Sequence, residues 1–124
     1  MMMRCAGYKM FVRAHLDGDG IGKSTHLSLF FVVGRGNFDT LLRWPFSQRV
    51  TMTILDQLSG RHNDVTEMLR PDRSSTVLQR PTGDSTAATG FPKFLPLTSL
   101  DNPQSVFVRE NAMFIRIAVD CRDI

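Results

Sequence analysis

Cysteine, histidine and lysine are scarce in this sequence, and each shortage removes a class of function. Cys5 and Cys121 stand near opposite ends of the 124 residues with no metal-ligand spacing, whereas a disulfide-built secreted domain carries more cysteine. The pair reads as free thiols in the cytosol. His15, His26 and His62 are isolated from one another and from both cysteines, so no metal cluster or nucleophile dyad assembles from them. The carboxylates are equally dispersed, with no pair placed for acid and base work. No catalytic residue, cofactor or metal ligand is expected, and the chain reads as a non-enzyme. No apolar run approaches the roughly 18 residues that a membrane-spanning helix needs. Met1-Met2-Met3-Arg4-Cys5-Ala6-Gly7 has no apolar signal-peptide core behind its charge. Neither membrane insertion nor secretion is indicated, and a cytoplasmic location is expected. Lysine is confined to Lys9, Lys23 and Lys93, so the net charge of +3 rests mainly on arginines, whose planar fork suits carboxylate recognition. They are scattered from Arg4 to Arg122, without the basic run and interleaved aromatics of a nucleic-acid groove, which argues against DNA or RNA as a partner.

What the chain does have is alternation of apolar and polar residues. A length of 124 residues is one domain and buries a real core. Val50, Met52 and Ile54 fall on one face of a segment whose Thr51 and Thr53 fall on the other, the period-2 signature of a half-buried antiparallel strand. Trp44-Pro45-Phe46 reads as a corner ahead of it. Tyr8, Met10, Val12, Ala14 and Leu16 share one face of an earlier segment, with Lys9, Phe11, Arg13 and His15 on the other. After the turn Asp17-Gly18-Asp19-Gly20, Leu27, Leu29, Phe31 and Val33 point one way and Ser28 and Phe30 share the face of His26. Residues 59–80 read as a long polar connection pinned by Val65, Met68 and Leu69. Pro92 and Pro96 remove amide donors from the 91–97 segment, which places it at a sheet edge. Ser99 caps one helical turn ahead of Pro103, and Val106 to Val108 and Met113 to Asp120 close the series. Short alternating segments between turns predict an all-β fold, an antiparallel sandwich or barrel.

Two apparent ligand motifs fail on inspection. Asp17 to Ser24, DGDGIGKS, misses the phosphate-binding P-loop because Asp17 stands where glycine is needed. A P-loop must also open a helix, whereas His26 to Val33 alternates as a strand. The same stretch is not a calcium loop, because Ser28 occupies the position of the bidentate glutamate.

Gly7-Tyr8-Lys9-Met10, Leu16-Asp17-Gly18-Asp19-Gly20, Thr25 to Phe31, Leu41 to Phe46, Ile54-Leu55-Asp56-Gln57 and Gln79-Arg80-Pro81, taken in order, resemble the receptor-binding domain of the TRAF family, the tumour-necrosis-factor receptor-associated factors. The resemblance implies an antiparallel β-sandwich over residues 7–124 and a cytoplasmic adaptor for receptor tails or signalling partners. It implies a homotrimer for the full-length protein through an upstream coiled coil, and a RING module elsewhere in it. Residues 1–6 are then an arbitrary or disordered start. Family strands upstream of the Gly-Tyr-Lys block would be absent, leaving part of the inner face uncovered, and the chain would be a fragment or an incomplete gene model. A second implied reading is the substrate-recognition module of a ubiquitin ligase in the MATH manner, and a third is a remnant without binding function.

The resemblance also implies a site. In the family a receptor peptide lies extended along an edge strand while pockets read its side chains. Arg13 and His15 match the positions that receive an acidic or aromatic side chain. Arg13 would give charge-assisted bonds to a carboxylate, and His15 a hydrogen bond or, when protonated, added positive charge. Asp19 and Gly20 match the turn bordering the groove, Phe30 its aromatic floor, and Leu69 and Arg70 an apolar wall with its arginine. Ser75 and Thr76 match two members of a hydroxyl clamp for a peptide glutamine, with Leu78 beside it. Thr89, Gly90 and Phe91 match the last wall, where Gly90 would admit the peptide backbone. Val77 replaces the third hydroxyl, and an amide left unpaired there costs about 1–3 kcal/mol if buried. A P-x-Q-x-E motif and a P-x-E-x-x-aromatic motif both stay open as ligands.

Overall fold

The computed structural model describes residues 2–5, 7–60, 63–71, 78–81 and 88–120. Among the described residues, seven strands form two antiparallel sheets. The first sheet holds β1 (Met2–Cys5), β2 (Tyr8–His15), β3 (His26–Gly34) and β6 (Thr89–Pro96) in the order β1-β2-β3-β6. The second holds β5 (Val65–Leu69), β4 (Val50–Ile54) and β7 (Ile115–Val119) in the order β5-β4-β7. The architecture is the all-β sandwich that the resemblance implies, one of the two forms, sandwich or barrel, that the alternation allows.

Alternation decides which side chains enter the core. Tyr8 and Met10 of β2, Leu27, Leu29, Phe31 and Val33 of β3, and Val50, Met52 and Ile54 of β4 are all buried between the sheets. Phe46, Leu78, Phe94, Leu95 and Phe107 fill the space around them. The predicted corner is where the chain crosses from one sheet to the other, through a cis Trp44–Pro45 peptide. There the Tyr8 ring meets Trp44 at 5.2 Å and Phe46 at 5.1 Å, both edge to face, and Phe46 lies 5.5 Å from Phe31. Such aromatic pairs add to the area they bury. The Tyr8 hydroxyl donates to the Arg43 carbonyl. Burial pushes its pKa above the ordinary tyrosine value, against the opposing pull of that bond.

Several expectations are corrected. Residues 2–5, expected as an arbitrary or disordered start, pair along the whole of β1 with β2. Residues 59–80 are not simply a connection, because Val65–Leu69 pairs with β4, Leu69 opposite Val50 and Val65 opposite Ile54. The strand was hidden by Glu67, which takes the inward register opposite Met52, and by Met68, which faces solvent. Thr53 is buried despite its polar face, and its hydroxyl lies 3.1 Å from that of Thr66 on β5. Val106 to Val108 is not a strand; the Val106 carbonyl accepts from the Gln57 amide and the Phe107 carbonyl from the Gln57 side chain instead. Ser99 does not cap a helix but lies inside the single turn α1 (Leu97–Leu100), whose cap position is Pro96.

One loop is tied by a carboxylate. Asp56 accepts from the backbone amides of Leu58, Ser59 and Asn63 at 2.9–3.1 Å and from the Ser59 hydroxyl. The Ser59 hydroxyl first, then these amides, hold its pKa down from the usual 3.8 to about 2.

Candidate functional site

The outer face of the four-stranded sheet aligns part of the expected site. Pairing of β2 with β3 sets Arg13 opposite Phe30 and His15 opposite Ser28, and pairing of β3 with β6 sets Phe30 opposite Gly90. Opposed residues share a face, so Arg13, Phe30 and Gly90 run in one row across three strands. The row faces away from the core residues Leu29 and Phe31, and it ends on β6, an edge strand that pairs with β3 among the described residues. The half-buried rings of His15 and Phe30 meet edge to face at 5.6 Å, beside the exposed Arg13. A guanidinium next to an aromatic floor can take a carboxylate by paired hydrogen bonds or an aromatic side chain by stacking.

The turn after β2 flanks this row, over Ser28 and Pro92, two residues along β3 and β6 from Phe30 and Gly90. Residues Gly20–Gly22 form one 3-10 turn with Asp19 at its start. The Asp19 amide donates to Ser28 Oγ at 2.9 Å, and the Ser28 hydroxyl donates to the Pro92 carbonyl at 2.6 Å. Ser28 is thus buried although it lies on the outer face, because the turn roofs it. Gly22 lies so close that a Cβ there would come within 1.9 Å of the Pro92 carbonyl oxygen. Gly20 has φ +59 with open space around it, so its glycine answers to the backbone.

The edge strand itself is irregular. Leu29 pairs with Phe91 but Leu27 with Leu95, so Pro92, Lys93 and Phe94 bulge opposite Ser28 alone. Pro92 has no amide to give and its carbonyl is engaged by Ser28. Gly90 answers first to its neighbour strand: a Cβ there would meet the Leu29 carbonyl oxygen at 2.4 Å and Phe30 Cα at 2.8 Å. Thr89 and Phe91 take the opposite, core-facing register, Thr89 opposite Phe31 and Phe91 packed 6.0 Å from the Phe94 ring.

The remaining expected residues lie apart from the row. Leu69 sits in the second sheet opposite Val50, packed against the core, with Arg70 exposed just beyond it. β5 nevertheless approaches β6. Leu78, matched to the groove by resemblance, is only 1% exposed and belongs to the core, with its carbonyl accepting from the Phe46 amide. Ser75 and Thr76, with Val77, lie outside the described residues. Sequence reasoning missed Ser28 and Gly22, the residues that fix the turn over the sheet. A lone hydroxyl inside the apolar run Leu27 to Val33 was the available signal. No group of three or more His, Cys, Asp or Glu that could hold a metal occurs among the described residues. None of their helices is long and apolar enough to cross a membrane.

Comparison with known proteins places this chain in a family. The TRAF/meprin, MATH domain family model matches residues 1–116. TNF receptor-associated factor 5 of Mus musculus is 46% identical over 121 residues, covering 98% of this chain and 21% of that protein. TNF receptor-associated factor 2 of Homo sapiens is 49% identical over 114 residues, covering 92% of this chain and 22% of that protein. The chain therefore spans about a fifth of the length of these relatives. A solved structure of Notothenia coriiceps TRAF5 superposes with a TM-score of 0.84 at 44% identity, over 92% of this chain and 56% of that one. Order of motifs, sandwich topology and sequence identity agree that this chain belongs to the TRAF family and forms a TRAF/MATH domain.

Proposed function

We propose that this domain is a non-enzymatic, cytoplasmic adaptor that binds short extended segments of receptor tails or signalling partners along the edge of β6. The observation that carries the reading is the row Arg13, Phe30 and Gly90, with His15 against Phe30, running across the outer face to that edge. An extended peptide adding to β6 would present alternate side chains to this face. An acidic residue meets the Arg13 guanidinium and an aromatic one the His15 and Phe30 rings. The relatives' names, which associate them with tumour-necrosis-factor receptors, support a receptor tail as the source. Asp19 and Gly20 border the site, and exposed Arg70 forms its far wall where β5 nears β6, with Leu69 behind it packed against the core. Ser75 and Thr76 are proposed as the polar clamp, and Thr89 and Phe91 as the backbone platform of the edge. Leu78 supports this site from the core. Single-site affinity is modest, and trimeric display in the full-length protein raises it through effective concentration.

Isothermal titration of the domain with P-x-Q-x-E and P-x-E-x-x-aromatic peptides tests the reading. Binding of either set, lost in a folded Arg13→Ala variant, is the expected result. A folded domain that binds neither set rejects it.

A further inference from the structure

The turn that roofs Ser28 carries an isoleucine at its tip. Ile21 is 77% exposed, yet the backbone holding it is fixed on every side. The Gly22 amide donates to the Asp19 carbonyl, Lys23 to Gly20, Ser24 to Asp17 and Thr25 to Gly22, at 2.7–3.2 Å. The Asp19 amide is tied to Ser28, Gly22 presses on the Pro92 carbonyl, and the Thr25 carbonyl accepts from the Leu97 amide. A large aliphatic side chain displayed on a rigid turn keeps its apolar surface in water at a standing cost. A ligand that covers it recovers that cost without ordering a loop.

The position of the turn says which ligand atom arrives there. Gly22 lies against Pro92 on β6 and near Ser28 on β3, both two residues along their strands from Gly90 and Phe30. Two residues of strand are about 7 Å, and side chains two apart in an extended peptide point to one face. A peptide paired along β6 whose residue i lies beside Gly90, its side chain directed along the row toward Phe30 and Arg13, therefore brings the side chain two positions away to the turn. We propose that Ile21 is a specificity-determining contact that selects an apolar side chain two positions from the acidic or aromatic residue read by Arg13. This rests on the edge-binding reading above and adds to it the chemistry of a second ligand position.

The test uses the tightest peptide of the titration panel, remade with leucine, serine or aspartate at each of the two positions flanking the anchor residue by two. The wild-type domain is expected to bind the leucine form at one of these positions about tenfold more tightly than the serine form. Ile21→Ser is expected to erase that preference while leaving affinity for the serine form unchanged, and Ile21→Leu to keep it. Equal binding of leucine and serine forms by the wild type, or the same preference in Ile21→Ser, overturns the inference and leaves the edge-binding reading intact. If no peptide binds the folded wild type, both fail together. Because Ile21 is exposed, its variants are expected to melt within about 2 °C of the wild type.

Discussion

Replacing Ser28 by alanine removes one hydroxyl and should be felt both in stability and at the candidate site. The Asp19 amide and the Pro92 carbonyl both depend on that hydroxyl. Asp19 is exposed, so its amide regains water and loses only the net value of an ordinary hydrogen bond, about 1 kcal/mol. The Pro92 oxygen is walled in by Gly22 and stays unsatisfied, at about 1–3 kcal/mol. Together these give a loss of about 2–4 kcal/mol. At about 2.1 cal/mol/K of unfolding entropy per residue, a chain of 124 residues loses about 4 °C of Tm per kcal/mol. A fall of about 8–16 °C in thermal unfolding followed by far-UV circular dichroism is expected. Hydrogen exchange at the Asp19 amide should accelerate, and affinity for peptide should drop although Arg13 is untouched. Thr98→Ala, at an exposed position of α1, should stay within about 2 °C. A Ser28→Ala domain that melts with the wild type and exchanges Asp19 no faster would refute the claim that this hydroxyl holds the turn on the sheet.

Gly90→Ala drives a methyl into the backbone of β3, and overpacking of this kind costs about 1–3 kcal/mol; urea unfolding should show a lower midpoint at an unchanged slope. Met52→Ala empties a fully buried site at the centre of the core and should cost about 2–5 kcal/mol in the same assay. The Asp56 carboxyl, held down to about 2, contributes stability that is present above its unfolded value near 3.8 and is lost as pH falls through about 2. Asp56→Asn should therefore lower Tm at neutral pH and flatten its decline between pH 5 and pH 2; an unchanged acid profile would contradict the loop's hydrogen bonds.

The strands were readable where the inward face is uniformly apolar. Tyr8 to Val12, Leu27 to Val33 and Val50 to Ile54 alternate because each inward position is apolar, and the prolines of β6 marked its edge. β5 was not readable, since Glu67 occupies an inward position and Met68 an outward one. Its pairing is decided by β4, a partner absent from any local window. Of the site, Arg13, Phe30 and Gly90 could be named one by one from the resemblance. Their alignment depends on two strand registers that alternation does not fix. The burial of Leu78 and the roofing of Ser28 are tertiary facts as well: a leucine beside a polar stretch and a serine on an outward face look exposed until a neighbouring segment covers them.

The central claim, that the outer face of the four-stranded sheet and the edge of β6 form one peptide-binding surface, is tested most directly by two-dimensional amide NMR during peptide titration. Shifts concentrated at Arg13, His15, Asp19, Phe30 and Thr89 to Phe91, with β4 and β7 unmoved, are the expected outcome. Saturable shifts confined to β4, β5 and β7, with this row unmoved, would contradict it.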